Sequence, residues 1–263
     1  MTLTRVDDDD VPQNLVGLGE DYLTVGNLNR VSYLRKYTAG GASSLASGAF
    51  PDQLIQVAIG FGNFVYAESE SWDSGAMSLV IANATDLAEA GRVPLPSVPV
   101  HGSSFSMAVA DGKIVIPVAA KGEGLDTQDS RLVIVDPNTR TSHDLDLGSL
   151  SPFLVRAVGD EVYVAHTYLN PAFGPLSAYR HVSVVNMPDE SVKGYDLPDG
   201  ISRMDVNNTT MAVLGEDADG NPVLSTYRTS DMSRQTRCQL TPPSSVPDAY
   251  AANVFLSSDP GSR

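Results

Sequence analysis

Apolar and polar residues alternate in short runs along almost the whole chain, and the runs come in groups. The clearest group covers residues 97–149. Phe105–Ala110 and Lys113–Val118 flank Asp111-Gly112, and Arg131–Asp136 and Ser142–Leu147 flank Pro137-Asn138. Alternation with period two puts successive side chains on opposite faces, so each run predicts a strand. Asp-Gly between two such runs predicts a tight hairpin, because the primed turn needs positive φ. Residues 150–199 repeat the plan with Leu154–Val158, Glu161–Thr167, His181–Asn186 and Val192–Leu197. Their turns are Gly159-Asp160, a long Pro/Gly/aromatic loop, and Met187-Pro188-Asp189-Glu190. Groups at 14–51, 52–96 and 200–243 follow the same order. The chain ends supply shorter runs, Thr2–Val6, Ala249–Ala252 and Asn253–Ser257. No long run has helical spacing; Asp86–Ala90 predicts a single turn at most.

The second run of each group begins at Tyr22, Phe64, Ile114, Val162, Met211 and Val254, at intervals of 42, 50, 48, 49 and 43 residues. Many short strands at this spacing predict an all-β repeat fold, and the interval matches a four-stranded propeller blade. The reading is one β-propeller domain over 1–263, most simply six-bladed. Five blades cover 14–51, 52–96, 97–149, 150–199 and 200–243, and residues 244–263 join 1–13 in the closing blade. Such closure pairs the strand edges that an open ring would expose. A five-bladed ring and a piece of a larger propeller are the alternatives.

Three segments carry a family resemblance: Asp111-Gly112-Lys113-Ile114-Val115-Ile116, Arg131-Leu132-Val133-Ile134-Val135-Asp136-Pro137 and Asp160-Glu161-Val162-Tyr163-Val164-Ala165. They resemble the YVTN-type and WD-repeat-like bacterial β-propellers, most strongly over 97–199. The resemblance implies a fold and says almost nothing of activity. The paired Trp-Asp of WD blades is missing from the strands; Trp72-Asp73 falls in a loop.

Composition narrows the partners. Seventeen Lys and Arg against 32 Asp and Glu give a net charge of −15, which repels phosphate backbones and anionic lipid surfaces. A nucleic-acid partner is therefore not expected. Most of the acids are Asp, the carboxylate suited to turns. Cys238 is the single cysteine, so no intrachain disulfide can form, and a buried structural thiol is expected. No apolar run reaches the length of a membrane span. The N-terminus lacks the charge and apolar pattern of a signal peptide. The protein is then cytoplasmic, or extracytoplasmic with its targeting segment absent from this chain; the second is the expectation, and the first stays open.

Loops offer the main candidate chemistry. In a propeller the second-to-third connections of all blades leave from one end. Three successive ones are long: 69–76, 121–130 and 168–180. Among their residues Trp72, Asp73, Asp126, Asp129, Tyr168, Phe173 and Tyr179 are the candidate contacts for a protein or glycan partner, since rigid scaffolds display function on loops. Asp217, Asp219 and Asn221 space oxygen ligands as the start of a calcium loop does, which makes calcium the one candidate cofactor. The calcium pattern breaks at Pro222, where a Gly belongs, and at Arg228, where a bidentate Glu belongs. A hairpin turn is the simpler use of that loop. No nucleophile elbow, P-loop or dinucleotide fingerprint occurs. His101, His143, His166 and His181 are scattered, and His166 shares strand parity with Val162 and Val164. The expectation is that His166 packs between sheets with one ring nitrogen satisfied. The function expected is a non-catalytic binding scaffold. The rivals are a propeller hydrolase resembling the calcium-dependent lactonases, and a structural module of a larger surface assembly. The oligomeric state is left open.

Overall fold

The computed structural model describes residues 12–18, 20–38, 44–95, 106–121, 128–148, 151–167 and 180–240, and among these the strands form five antiparallel sheets of four. The first sheet holds β1 (Pro12–Leu18), β2 (Asp21–Leu28), β3 (Val31–Thr38) and β4 (Ala46–Pro51). The second holds β5 (Gln53–Phe61), β6 (Phe64–Ser71), β7 (Met77–Asn83) and β8 (Glu89–Pro94). The third holds β9 (Ala108–Ala110), β10 (Lys113–Lys121), β11 (Gln128–Asp136) and β12 (Thr141–Gly148). The fourth holds β13 (Ser151–Val158), β14 (Glu161–Thr167), β15 (His181–Asn186) and β16 (Ser191–Asp196). The fifth holds β17 (Arg203–Val206), β18 (Thr210–Glu216), β19 (Pro222–Arg228) and β20 (Arg234–Gln239). Within each sheet the strands pair in chain order, as a meander. The all-β propeller reading holds. Thr2–Val6, Ala249–Ala252, Asn253–Ser257 and His101 lie outside the described residues.

The hairpins follow from local chemistry. Asp111 and Gly112 sit at φ 48° and 69°, the paired positive values that the Asp-Gly signal requires. At the same end of the sheets, the third-to-fourth turns repeat one another. Leu87, Arg140, Glu190 and Met232 each close a five-residue turn with φ between 55° and 59°. In three of these turns the closing amide donates back four residues: Leu87 to Asn83 (2.9 Å), Arg140 to Asp136 (2.9 Å) and Met232 to Arg228 (2.8 Å). A left-handed non-glycine residue costs roughly 1–2 kcal/mol, which burial of Leu87 helps offset.

Four apolar seams hold the sheets to their neighbours. Leu23, Val25 and Leu34 of the first sheet pack on Ile55, Val65 and Ala67 of the second. Tyr66, Leu79 and Ile81 of the second meet Ile114, Ile116 and Val133 of the third. Leu132 and Ile134 meet Val155, Val162 and Val164 of the fourth. Tyr163, Ala165 and Val182 meet Met204, Met211 and Val213 of the fifth. In the three middle sheets, which have a neighbour on each side, the second and third strands are therefore buried on both faces along most of their length, and β10, β11 and β14 run largely apolar. In the end sheets β3 and β19 alternate buried and half-exposed positions instead.

Polar groups fasten the seams near one end. The Ser32 hydroxyl has the Gln53 carbonyl (2.7 Å) and Asn27 Oδ1 as acceptors for its one proton, and accepts from the Ile55 amide (2.8 Å). Fully buried His166 stands between Ser183 Oγ, 2.8 Å from Nε2, and Ser130 Oγ of the neighbouring sheet, 3.4 Å from Nδ1. The sequence predicts one satisfied ring nitrogen; the structure engages both, because a serine approaches from each side of the seam. Asp199, 5% exposed, accepts from Ser225 (3.1 Å) and pairs with Arg237 (3.3 Å) and Arg234 (3.5 Å). Asp205 of β17 meets Arg156 of β13 at 3.4 Å, across two innermost strands.

One expectation fails. Cys238 is exposed rather than buried, because β20 is an outermost strand with neither face covered. No helix among the described residues is long and apolar enough to cross a membrane.

Leu132→Ala is expected to lower the unfolding free energy by about 2–5 kcal/mol, whereas Val192→Ala on β16 shifts it by less than about 0.5 kcal/mol. Among the described residues, the buried hydroxyls of Tyr37 and Tyr227 have no hydrogen-bond partner. Tyr227→Phe is therefore expected to raise stability by about 1 kcal/mol in a urea titration; a loss would show that the hydroxyl is bonded.

Candidate functional site

The two ends of the sheets are built differently. The end with the first-to-second and third-to-fourth turns is short and repetitive, apart from the 39–45 connection. At the other end the second-to-third connections vary: 29–30, 72–76, 122–127, 168–180 and 217–221. The links between successive sheets leave from that end too, and they run from the single residue Asp52 to 95–107. Sheet packing constrains strand lengths at both ends equally, so variation at one end marks where the chain is free to carry function.

Three turns of this end are laced into one corner across the first two sheets. Arg30 and Asn29 form the β2–β3 turn, Asp52 links β4 to β5, and Trp72-Asp73 opens the β6–β7 turn. The Asp52 amide donates to the Arg30 carbonyl (2.9 Å), and the Trp72 amide donates to the Asp52 carbonyl (3.1 Å). Above these bonds the Arg30 guanidinium meets Asp73 at 2.5 Å and Asp52 at 3.2 Å. The hydrogen bond that Arg30 donates to Asp73 holds the guanidinium above its ordinary pKa. Asn29, Arg30 and Asp52 all adopt positive φ, at 50°, 66° and 56°. Non-glycine residues hold such angles only where their surroundings fix them, so the corner is preset in shape. It leaves the Trp72 side exposed at 46%, with Leu28 at 39% just before the Arg30 turn.

The Asp217 loop lies at the same end of the fifth sheet. Asp217 Oδ1 accepts from the amides of Asp219 (3.0 Å) and Asn221 (2.9 Å), and Oδ2 accepts from Arg237 (2.9 Å). The Asn221 amide, first of these, holds the Asp217 carboxyl below its ordinary value. Asp217 and Asn221 are thus joined in the turn, and Asp217 is tied through Arg237 to the buried Asp199. Among the described residues, no three His, Cys, Asp or Glu side chains are grouped to hold a metal ion. Gly215, next to this loop, is required by packing: a Cβ there would come within 1.7 Å of the Gly200 carbonyl.

Asp129 falls within β11, opposite Ala120, and not in the loop. Asp126, Tyr168, Phe173 and Tyr179 lie outside the described residues. Sequence reasoning missed Arg30, Asp52 and Asp199. Each is an ordinary turn or link residue until the neighbouring sheet arrives, so no local pattern marks them.

A lowered carboxyl stabilises the fold above its unfolded value and loses that contribution as the pH falls through the folded value. Asp217→Asn is therefore expected to be less stable than the parent at neutral pH. The difference should shrink below the ordinary aspartate value of 3.8 in melts across the acid range. A gap independent of pH would exclude a charge-based role for Asp217.

No protein-family model matches the chain, and no curated protein matches it. Solved structures do. The WD40 domain of Toxoplasma gondii coronin superposes with a TM-score of 0.62 at 9% identity, over 90% of this chain and 63% of that one. A Synechocystis apocarotenoid oxygenase superposes at 0.55 and 12% identity, over 84% of this chain and 58% of that one. An apocarotenoid oxygenase/RPE65 chimera gives 0.56 at 12% identity, with the same coverage. The chain thus spans about three fifths of the length of the structures it matches. At such identities the likeness is one of fold: this chain is a β-propeller that resembles a WD-repeat domain.

Proposed function

We propose that the chain is a non-catalytic β-propeller scaffold that binds a protein partner through the end carrying the variable connections. The observation that supports this reading is the Trp72 corner. An indole exposed at 46% is held by a frame of backbone bonds and a two-carboxylate arginine clamp. Large aromatics on rigid supports lose little entropy on binding and anchor many interfaces. The candidate contacts Tyr168, Phe173 and Tyr179 belong to a connection of the same class. A glycan is the alternative ligand for an exposed aromatic.

Residues 244–263 with the first part of the chain would complete the ring as a further sheet. Tyr37 is fully buried, and Ala212 and Leu214 are 2% and 7% exposed, yet none of them belongs to the four seams. They sit on the faces of the first and fifth sheets that point away from the other described sheets, so these faces need a cover.

Trp72→Ala is expected to leave the melting temperature unchanged and to cut partner capture at least tenfold, while Val192→Ala leaves capture intact. Equal capture by both variants would sink the reading. Saturable binding on a glycan panel that disappears with Trp72→Ala would move the ligand from protein to sugar. For the ring, deletion of 244–263 is expected to expose the Tyr37 and Leu214 faces, lowering the melting temperature and raising binding of an apolar dye. A deletion variant as stable as the parent would contradict closure by that segment.

A further inference from the structure

We infer that the partner presents a basic segment to the Trp72 corner, with a cationic side chain packed on the indole between the carboxylates of Asp52 and Asp73. The inference rests on the reading of this end as the binding end and names the chemistry of what binds.

Three features converge on a cation. The indole has the strongest cation-attracting face among side chains, and this one stands open to solvent. Asp73 follows it directly in the chain, and Asp52 is joined to it through the bond from the Trp72 amide. The side chains of Asp52 and Asp73 are 63% and 73% exposed. Among the described residues Arg30 is the one cation in ion-pair distance of either, so the corner keeps an excess negative charge. Leu28, exposed at 39% beside the Arg30 turn, offers an apolar rest for the methylene stem of a lysine or arginine. The net charge of −15 adds a long-range field that draws basic segments in and keeps acidic ones away. An acidic or phosphorylated segment would meet two carboxylates and an arginine already clamped by them.

Arg30 also gives the proposal a sign. It occupies the carboxylates that an incoming cation would use, so it competes with the ligand. Its removal should strengthen binding, whereas loss of either carboxylate should weaken it. An indole that merely buries apolar surface would show neither effect.

Trp72 is the single tryptophan of the chain, so its emission reports on this corner alone. The test titrates the full chain with an oligo-arginine peptide, an oligo-glutamate peptide and a neutral Gly-Ser peptide, following Trp72 emission. Anisotropy of the labelled peptides supplies the affinity for variants that lack the indole. Oligo-arginine is expected to change the emission saturably, with affinity falling as salt rises, and the other two peptides are expected to leave it unchanged. Asp73→Asn and Asp52→Asn should each weaken binding about threefold or more, Trp72→Ala about fivefold, and Arg30→Gln should tighten it. Oligo-arginine that binds with no change in Trp72 emission, or Asp variants that bind as tightly as the parent, would overturn the inference. Partner capture that depends on Trp72 while oligo-arginine leaves the emission untouched would retain the binding end and remove the basic chemistry. Loss of both effects would remove both readings.

Discussion

The structure depends on a requirement of the central strands of the middle sheets: both of their faces are apolar, and both must be covered. A single sheet can hide only one face against one layer. Successive sheets solve this by each serving as its neighbour's cover, which gives the four seams and carries the chain around in equal steps. At about 25 cal/mol per Å² of apolar surface removed from water, these seams supply the main favourable term. Hydrogen bonds such as those of Ser32 and His166 add little net energy, yet they fix the register of one sheet on the next, because an unmade buried bond is costly.

That division of labour explains where the molecule can vary. The turn end repeats one solution in four of the five sheets, down to the left-handed residue that closes the third-to-fourth turn. Apart from the 39–45 connection, little there distinguishes one sheet from another. The opposite end carries most of the connections of unusual length and the buried polar fastenings beneath them. Rigid seams below and a preset corner above are what a recognition surface needs, since a partner then binds a shape that is already formed.

Much of the architecture was legible because strand periodicity and turn chemistry are local. The Asp111-Gly112 turn, the Val162-to-His166 parity and the interval between second strands each follow from a few adjacent residues. The site was legible in part. Trp72-Asp73 stands out as a large aromatic beside a charge in a loop, but Arg30 and Asp52 become its frame only when two sheets 43 and 21 residues apart in sequence meet. Such long-range partners leave no local trace. Cys238 was misread for a related reason: its strand pattern does not say whether β20 has a neighbour, and burial depends on that neighbour.

The central claim is that one end of the propeller is the binding end and the other is scaffold. Amide hydrogen exchange of the full chain, free and saturated with its captured partner, tests it most directly. The account predicts slowed exchange on partner binding at 28–31, 51–53 and 71–76, with no change at the turns 84–88, 137–140, 187–190 and 229–232. Protection at those turns, with none around Asp52 and Trp72, would contradict it.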